Sequence, residues 1–322
     1  MAGKALLHST LDETQRLVRA SAERPRLLRR KTVGGLAFDA CNGLSFVVLT
    51  LTFLYPFWHT VILSFSGILD VRTLGLHIWL GRWQTGAYDY ILSDPSTLVG
   101  YANSIFRAVA GTTLTLLVTF LTAYPLAKRS LPGRGLVTAY ILVTMFFAGG
   151  LIPTYLVIRK LGLIDSRWVL ILPLLANGFY IIIMRNYLMT VDPAFEESAF
   201  MDGANYLQIM ARIVAPLCKP VLATIALWTM VLHWNSWFDA LIYLRDESKV
   251  VLQLLLRRLL LAEQATLDRI REFGGPADAE DRLPSEAVKA ATTLITIGPI
   301  ILVYPFLQRY FIKGIFLGSL KG

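Results

Sequence analysis

Most of this chain consists of apolar runs long enough to cross a lipid bilayer, and that feature leaves few folds open. Hydrocarbon offers the backbone no hydrogen-bond partners, so a run of about 20 such residues closes its own N–H and C=O groups as a helix. About six runs qualify, at about 38–65, 101–127, 137–157, 168–187, 217–244 and 288–311. Hydrophobic residues make up 55% of the chain, and charged residues only 16%, against about 25% in soluble domains. The expected class is an all-α polytopic membrane protein. Pro56 kinks the first run, and Gly149-Gly150 weakens regular helix in the third, as hinge or as close-packing site.

Charge sets the expected orientation. Residues 1–37 form a basic N-terminal segment, with a capping box at Thr10-Leu11-Asp12-Glu13 and a cluster of Arg24, Arg26, Arg29, Arg30 and Lys31. Lys128, Arg129, Arg134, Arg212, Lys219, Lys313 and Lys321 fall on the same side, which the positive-inside rule makes cytoplasmic for both termini. Arg159, Lys160 and Arg167 oppose it. The membrane domain then covers 38–322, with a long outer loop at about 245–286. The net charge of +9 fits anionic lipid. It does not point to nucleic acid, because no basic face is interleaved with exposed aromatics. Cys41 and Cys218 have no spaced partners, so neither a disulfide framework nor a metal set is expected. No cleavable signal peptide is evident.

The least apolar stretch of the middle of the chain lies between the fourth and fifth runs, at about 192–216. Asp192 and Pro193 suit a helix start, and Glu196 and Glu197 suit the positive end of its dipole. Asp202-Gly203 stops the helix in a sharp turn. A second helical pattern follows, with Leu207, Met210, Ile213 and Val214 on one side, and Pro216 marks the next span. Two short helices at an angle make a knuckle that fits a cleft on a soluble partner.

The residues Glu197-Ser198-Ala199, then Asp202-Gly203-Ala204, with Pro216 beyond, resemble the EAA loop of permease subunits in bacterial ABC importers. Ser198 stands where that family usually has Ala. Tyr101-Ala102-Asn103-Ser104, Gly149 to Tyr155, Trp234 to Ala240, and the ending Gln308 to Gly314 with Lys321-Gly322 resemble its carbohydrate-uptake branch, the MalG-like and LplC/YtcP-type subgroup. The resemblance implies the type I (MetI-like) permease fold with a cytoplasmic coupling helix. It implies that Glu197, Ser198, Ala199, Asp202, Gly203 and Ala204 dock on an ATPase. The implied partners are a second, distinct permease chain, two ATP-hydrolysing subunits that hold ATP and magnesium, and an extracytoplasmic sugar-binding protein. The C-terminal tail either reaches into the ATPase dimer or is an unstructured end.

This chain shows no enzyme signature and no phosphate-binding loop, so no bound cofactor and no catalytic residue are expected in it. His8, His59, His77 and His233 lack metal spacing. Polar groups at membrane depth are costly and mark cavities or helix contacts. Asn235 and Asp239, with Trp234 and Trp237, therefore read either as a substrate-pathway lining or as an interfacial aromatic belt. Tyr180, Asn177 and Asn103 are further pathway candidates, with helix–helix hydrogen bonds as the alternative. The leading expectation is a sugar-importing ABC permease subunit of the bacterial cytoplasmic membrane. The rival is an ion-gradient-driven secondary transporter, for which Asp239 is the main ion-binding candidate and no inverted repeat is seen.

Overall fold

The computed structural model describes residues 33–66, 79, 83–259, 261 and 285–319, and no strand occurs among them. The N-terminal capping box and arginine cluster, most of the outer loop and the last three residues lie outside the described residues. The chain divides into two compact units, 1–57 and 58–322.

Helix α1 (Val33–Ser64) is 32 residues long and contains Pro56. Its start precedes the expected one because Val33, Gly34 and Gly35 already take helical geometry. Ser45, Thr50 and Thr52 donate to carbonyls four residues back at 2.7–2.9 Å, which hides their hydroxyls from hydrocarbon. Leu44, Phe46, Val47 and Leu51 are exposed, as suits a lipid-facing surface.

Helix α2 (Gly86–Ser93) leads into α3 (Pro95–Ala127). Asp94 caps α3 by accepting from the Ser96 N–H at 2.9 Å, and Pro95 sits in its first turn. Helices α4 (Arg134–Phe146) and α5 (Leu151–Lys160) replace the expected single third span and meet at 116°. The break falls at Gly149-Gly150, where Gly150 has φ 83°. That left-handed region costs a glycine little.

The expected fourth span begins as two 3₁₀ turns, Arg167–Leu170 and Leu172–Leu174, because Pro173 cannot continue an α-helix. It then bends by 49° into α6 (Gly178–Leu188). The loop at 192–205 carries α7 (Ala194–Met201). Next come α8 (Tyr206–Ile209), a π-helical turn at Met210–Val214, and α9 (Ala215–Leu217). These meet α10 (Lys219–Asn235) at 79°.

The expected continuous fifth span is also broken near its far end. Helix α10 stops at Asn235, and α11 (Phe238–Tyr243) follows. The Ser236 carbonyl is captured by Arg107 at 2.9 Å, outside the helical ladder. Helix α12 covers 252–259, and α13 (Ser285–Ser319) contains Pro299 and Pro305. Among the described residues, α1 and α3 are each long and apolar enough to cross a membrane. Five segments are if each bent pair is one crossing, against the six expected.

Helix α3 is the centre of the packing. Its Phe120, Ala123, Tyr124 and Leu126 join Tyr180, Ile181 and Met184 of α6, Val221 and Ile225 of α10, and Ala199, Ile209 and Val214 of the 192–217 loop in one core. A second core unites Ile158, Val169, Leu170, Ala240, Tyr243, Val251 and Leu254. Asp165 fastens this end, in a left-handed conformation at φ 58°. Its carboxylate accepts from the Arg245 and Asp246 N–H groups at 3.1 and 3.0 Å. Lys249 Nζ donates to its main-chain oxygen at 2.9 Å.

Two predictions follow from this packing. A Cβ on Gly111 would lie 2.4 Å from Nε2 of His233, itself 1% exposed, so α3 and α10 approach closely only because residue 111 has no side chain. Gly111→Ala is expected to destabilise the chain by about 1–3 kcal/mol, read from thermal unfolding in detergent, and His233→Ala in the same chain to restore part of the loss. The second concerns pH. The Ser248 backbone N–H, then its hydroxyl and the Lys249 ammonium, pull the Asp246 carboxyl from 3.8 down to about 2. A depressed carboxyl stabilises fully above its unfolded value and loses that contribution as pH falls through its folded value. Amide-exchange protection at 245–250 is therefore expected to hold down to about pH 4 and to fall between about 4 and 2. Asp246→Asn is expected to shrink that step, and Asp165→Asn with Asp246→Asn to abolish it, because Asp165 is also held low by the Arg245 and Asp246 N–H groups.

Candidate functional site

The 192–217 loop is a built turn. Asp192 accepts from the Ala194 N–H at 3.0 Å and opens α7, whose first turn carries Glu196 and Glu197. At the other end the Ala204 N–H bonds the Ala199 carbonyl and the Gly203 N–H bonds the Phe200 carbonyl, both at 3.0 Å. This pair of bonds is a Schellman motif, and it puts Gly203 in the left-handed region at φ 81°. No atom lies within 4 Å of where its Cβ would be, so the constraint at Gly203 is torsional.

The second helix is closed at its start by a reciprocal capping box. The Gln208 N–H donates to the Asn205 side chain at 2.9 Å, and the Asn205 N–H donates to Gln208 at 3.0 Å. That box follows the Asn-x-x-Gln spacing, a signal present in the sequence and not used above. The expected apolar side of this helix is corrected in one respect: Leu207 is exposed. Ile209 and Val214, five residues apart, are both fully buried, because the turn between them is π-helical and shifts the inward face.

The loop projects a mixed surface. Glu197, Ser198, Asp202 and Gly203 are exposed, while Ala199 is buried and Ala204 half-buried. Around them Phe195, Met201, Tyr206 and Leu207 are exposed, Met201 at 89%. Apolar side chains clustered on a polar loop mark an interaction surface.

What holds the loop to the membrane helices was not anticipated. Glu196, expected only to favour the helix dipole, forms an ion pair with Lys128 just past the end of α3. The Tyr124 hydroxyl donates to the same carboxylate at 3.3 Å, and Lys128 lies over the Tyr124 ring at 4.8 Å. Arg185 Nε donates to the Leu126 carbonyl at 3.3 Å, and the Tyr187 hydroxyl to the Leu217 carbonyl at 3.2 Å. The α7 helix is thus bolted to one end of α3.

A second ion pair lies in the first half of α3, roughly 30 Å from Lys128 at 1.5 Å per residue. Arg107, 1% exposed, pairs with Asp239 through both terminal nitrogens and also bonds the Ser236 carbonyl. Arg107 was also missed by the sequence reading, although a lone arginine inside the 101–127 apolar run is itself a signal.

The pathway candidates disperse around this pair. Trp234 is buried and its indole N–H donates to the Thr296 carbonyl at 3.0 Å. Asn235 is exposed. Trp237 is half-buried beneath the Arg257 guanidinium, 3.6 Å from the ring centroid. Asn103 donates to the Ser248 and Val250 carbonyls, both at 2.9 Å. Asn177 caps α6, accepting from the Phe179 and Tyr180 N–H groups. Tyr180 is buried and stacks on Trp228 at 6.2 Å. The structure therefore gathers Trp237 and Asp239 with two arginines and places Tyr180 and Asn177 in a separate cluster. Among the described residues, no group of three or more His, Cys, Asp or Glu could hold a metal ion.

The Lys128–Glu196 pair gives a direct test of how the loop is held. A double-mutant cycle with Lys128→Met and Glu196→Gln is expected to show coupling on the order of 1 kcal/mol in unfolding of the detergent-solubilised chain. Cross-linking between cysteines placed at 131 and 197 is expected to broaden in either single variant.

Comparison with known proteins accounts for this architecture. Protein LplC of Bacillus subtilis (strain 168) is 38% identical over 291 residues, covering 90% of this chain and 97% of that one. The polygalacturonan/rhamnogalacturonan transport system permease protein YtcP of the same organism is 37% identical over 267 residues, 83% of this chain and 92% of its own. The crystal structure of a bacterial ABC transporter involved in import of the acidic polysaccharide alginate contains a chain 33% identical, with TM-score 0.77, covering 87% of this chain and 98% of that one. The all-α MetI-like permease fold of an ABC importer is therefore the fold of this chain, and it is a transport subunit rather than an enzyme. The sequence profile of the binding-protein-dependent transport system inner membrane component matches residues 114–317, and the chain belongs to that family.

Proposed function

We propose that this chain is a permease subunit of an ABC importer that carries oligosaccharides or related sugars across the bacterial cytoplasmic membrane. The observation that supports it best is the exposed knuckle at 192–217 clamped onto the end of α3. A soluble partner that pushes on α7 moves Glu196, Lys128 and α3 together. In this reading Glu197, Ser198, Ala199, Asp202, Gly203 and Ala204 form the docking surface for one of two ATPase subunits, which hold ATP and magnesium. A second, distinct permease chain completes the pathway, and an extracytoplasmic binding protein supplies the sugar. Closure of the ATPase dimer draws the knuckles together and tips the spans toward the outside, and hydrolysis resets them. Both termini and the knuckle face the cytoplasm. The relatives' part in alginate and polygalacturonan transport supports the sugar class.

The secondary-transporter reading is weaker. Its ion-binding candidate, Asp239, is already neutralised by Arg107. An aspartate so paired holds its own counter-charge and has little field left for a coupling ion.

Two measurements test the proposal. A cysteine introduced at Asp202 is expected to react with a membrane-impermeant thiol reagent only from the cytoplasmic side. Labelling from outside whole cells would overturn the orientation. Gly203→Val forces a β-branched residue into the left-handed region, at a strain of about 1–3 kcal/mol. In vesicles holding the whole complex it is expected to cut sugar uptake by roughly 5- to 150-fold while ATP hydrolysis continues. Undiminished uptake would count against coupling through this turn.

A further inference from the structure

The broken end of the fifth span borders a cavity of about 320 Å³, lined by Trp237, Gln253, Arg257, Thr292, Thr293 and Thr296 among others. That volume is at the lower end of the range of about 300–1,000 Å³ for small-molecule sites. We propose that this cavity is a subsite for a carboxylated sugar ring, with Arg257 reading the carboxylate and Trp237 the ring. The proposal rests on the sugar-import reading above and narrows it to acidic saccharides.

The chemistry of the lining carries it. The Trp237 indole and the Arg257 guanidinium are stacked, with the guanidinium carbon 3.6 Å from the ring centroid. A guanidinium seated on an aromatic face keeps its in-plane N–H groups pointing outward, in the fork that fits a carboxylate. Arg257 has no carboxylate partner among the described residues, whereas its neighbour Arg258 bonds Glu247 at 2.7 and 2.8 Å. An exposed arginine next to a paired one is thus held in place by the indole and left open to an anion. A sugar ring adds apolar C–H faces and hydroxyls. The indole edge and Leu256 meet the first. The Gln253 amide and the hydroxyls of Thr293 and Thr296 meet the second.

Position supports the same conclusion. The cavity is built from Trp237, α12 and the first half of α13, at the half of α3 that carries Arg107 and not at the end that carries Lys128. With the knuckle cytoplasmic, this is the side at which substrate arrives. Among the described residues, Asp239 is the acidic side chain beside Trp237, and Arg107 neutralises it.

The test uses the full chain in nanodiscs of neutral lipid and saturation-transfer NMR, which detects weak binding. The probes are digalacturonate and its neutral counterpart galactobiose, with acetate as a control for anion binding alone. Digalacturonate is expected to bind, galactobiose to bind at least about tenfold more weakly, and Arg257→Gln to remove that preference. Arg258→Gln is expected to leave it intact, and Trp237→Ala to weaken both sugars. Each variant is first shown to elute and unfold as the wild type does, and Arg257→Lys keeps the charge without the fork, so an intermediate loss locates the effect in the carboxylate contact. Equal binding of both sugars, a preference unmoved by Arg257→Gln, equal binding of acetate and digalacturonate, or no binding of either sugar would each overturn the subsite. Sugar uptake by the whole complex decides the broader reading separately: acidic-sugar uptake insensitive to Arg257→Gln leaves the importer standing and removes only the acidic subsite.

Discussion

A guanidinium buried in a membrane-spanning helix is the constraint around which the rest of this chain is arranged. Arg107 is 1% exposed, and an unpaired charge there would carry a desolvation cost of several kcal/mol. The fold answers with a bidentate carboxylate from Asp239 and a carbonyl from Ser236. Supplying that carbonyl requires α10 to stop early, and supplying the carboxylate requires α11 to begin at once. The break in the fifth span is thus the geometric price of one arginine. The same break turns Trp237 and the 244–250 segment toward the end of α3, where Asn103 ties down the Ser248 and Val250 carbonyls.

Helix α3 therefore carries two charge locks, one inside its first half and one just past its last residue. One lock is buried and joins two spans; the other is partly exposed and joins α3 to the 192–217 loop. The two differ in how readily they can open. A buried pair that loses a partner leaves an uncompensated ion, whereas Lys128 and Glu196 can be rehydrated at modest cost. The Arg107 pair behaves as a fixed post and the Lys128 pair as a joint. Between them, Gly111 against His233 keeps α3 and α10 in close register.

Much of this was legible in the residues. Apolar run length announced the helices, and Asp202-Gly203 announced the turn, because backbone chemistry of that kind is local. The weak point at Gly149-Gly150 was visible for the same reason. The long-range partners were not visible. Nothing local couples Arg107 to Asp239 or Lys128 to Glu196, because each pair is created by helices meeting in space. Leu207 was assigned to the wrong face because a π-helical turn adds one residue to the period, and that insertion leaves no mark on an α-helical pattern. The Asn205–Gln208 box shows a different lapse, since its spacing was there to be read.

The exposed side chains of the knuckle carry a cost for the solitary subunit. Met201, Phe195 and Leu207 stand in water until something covers them. While that surface stays uncovered, the chain presents a greasy beacon to chaperones and proteases. Its lifetime would be set by how soon those side chains are covered.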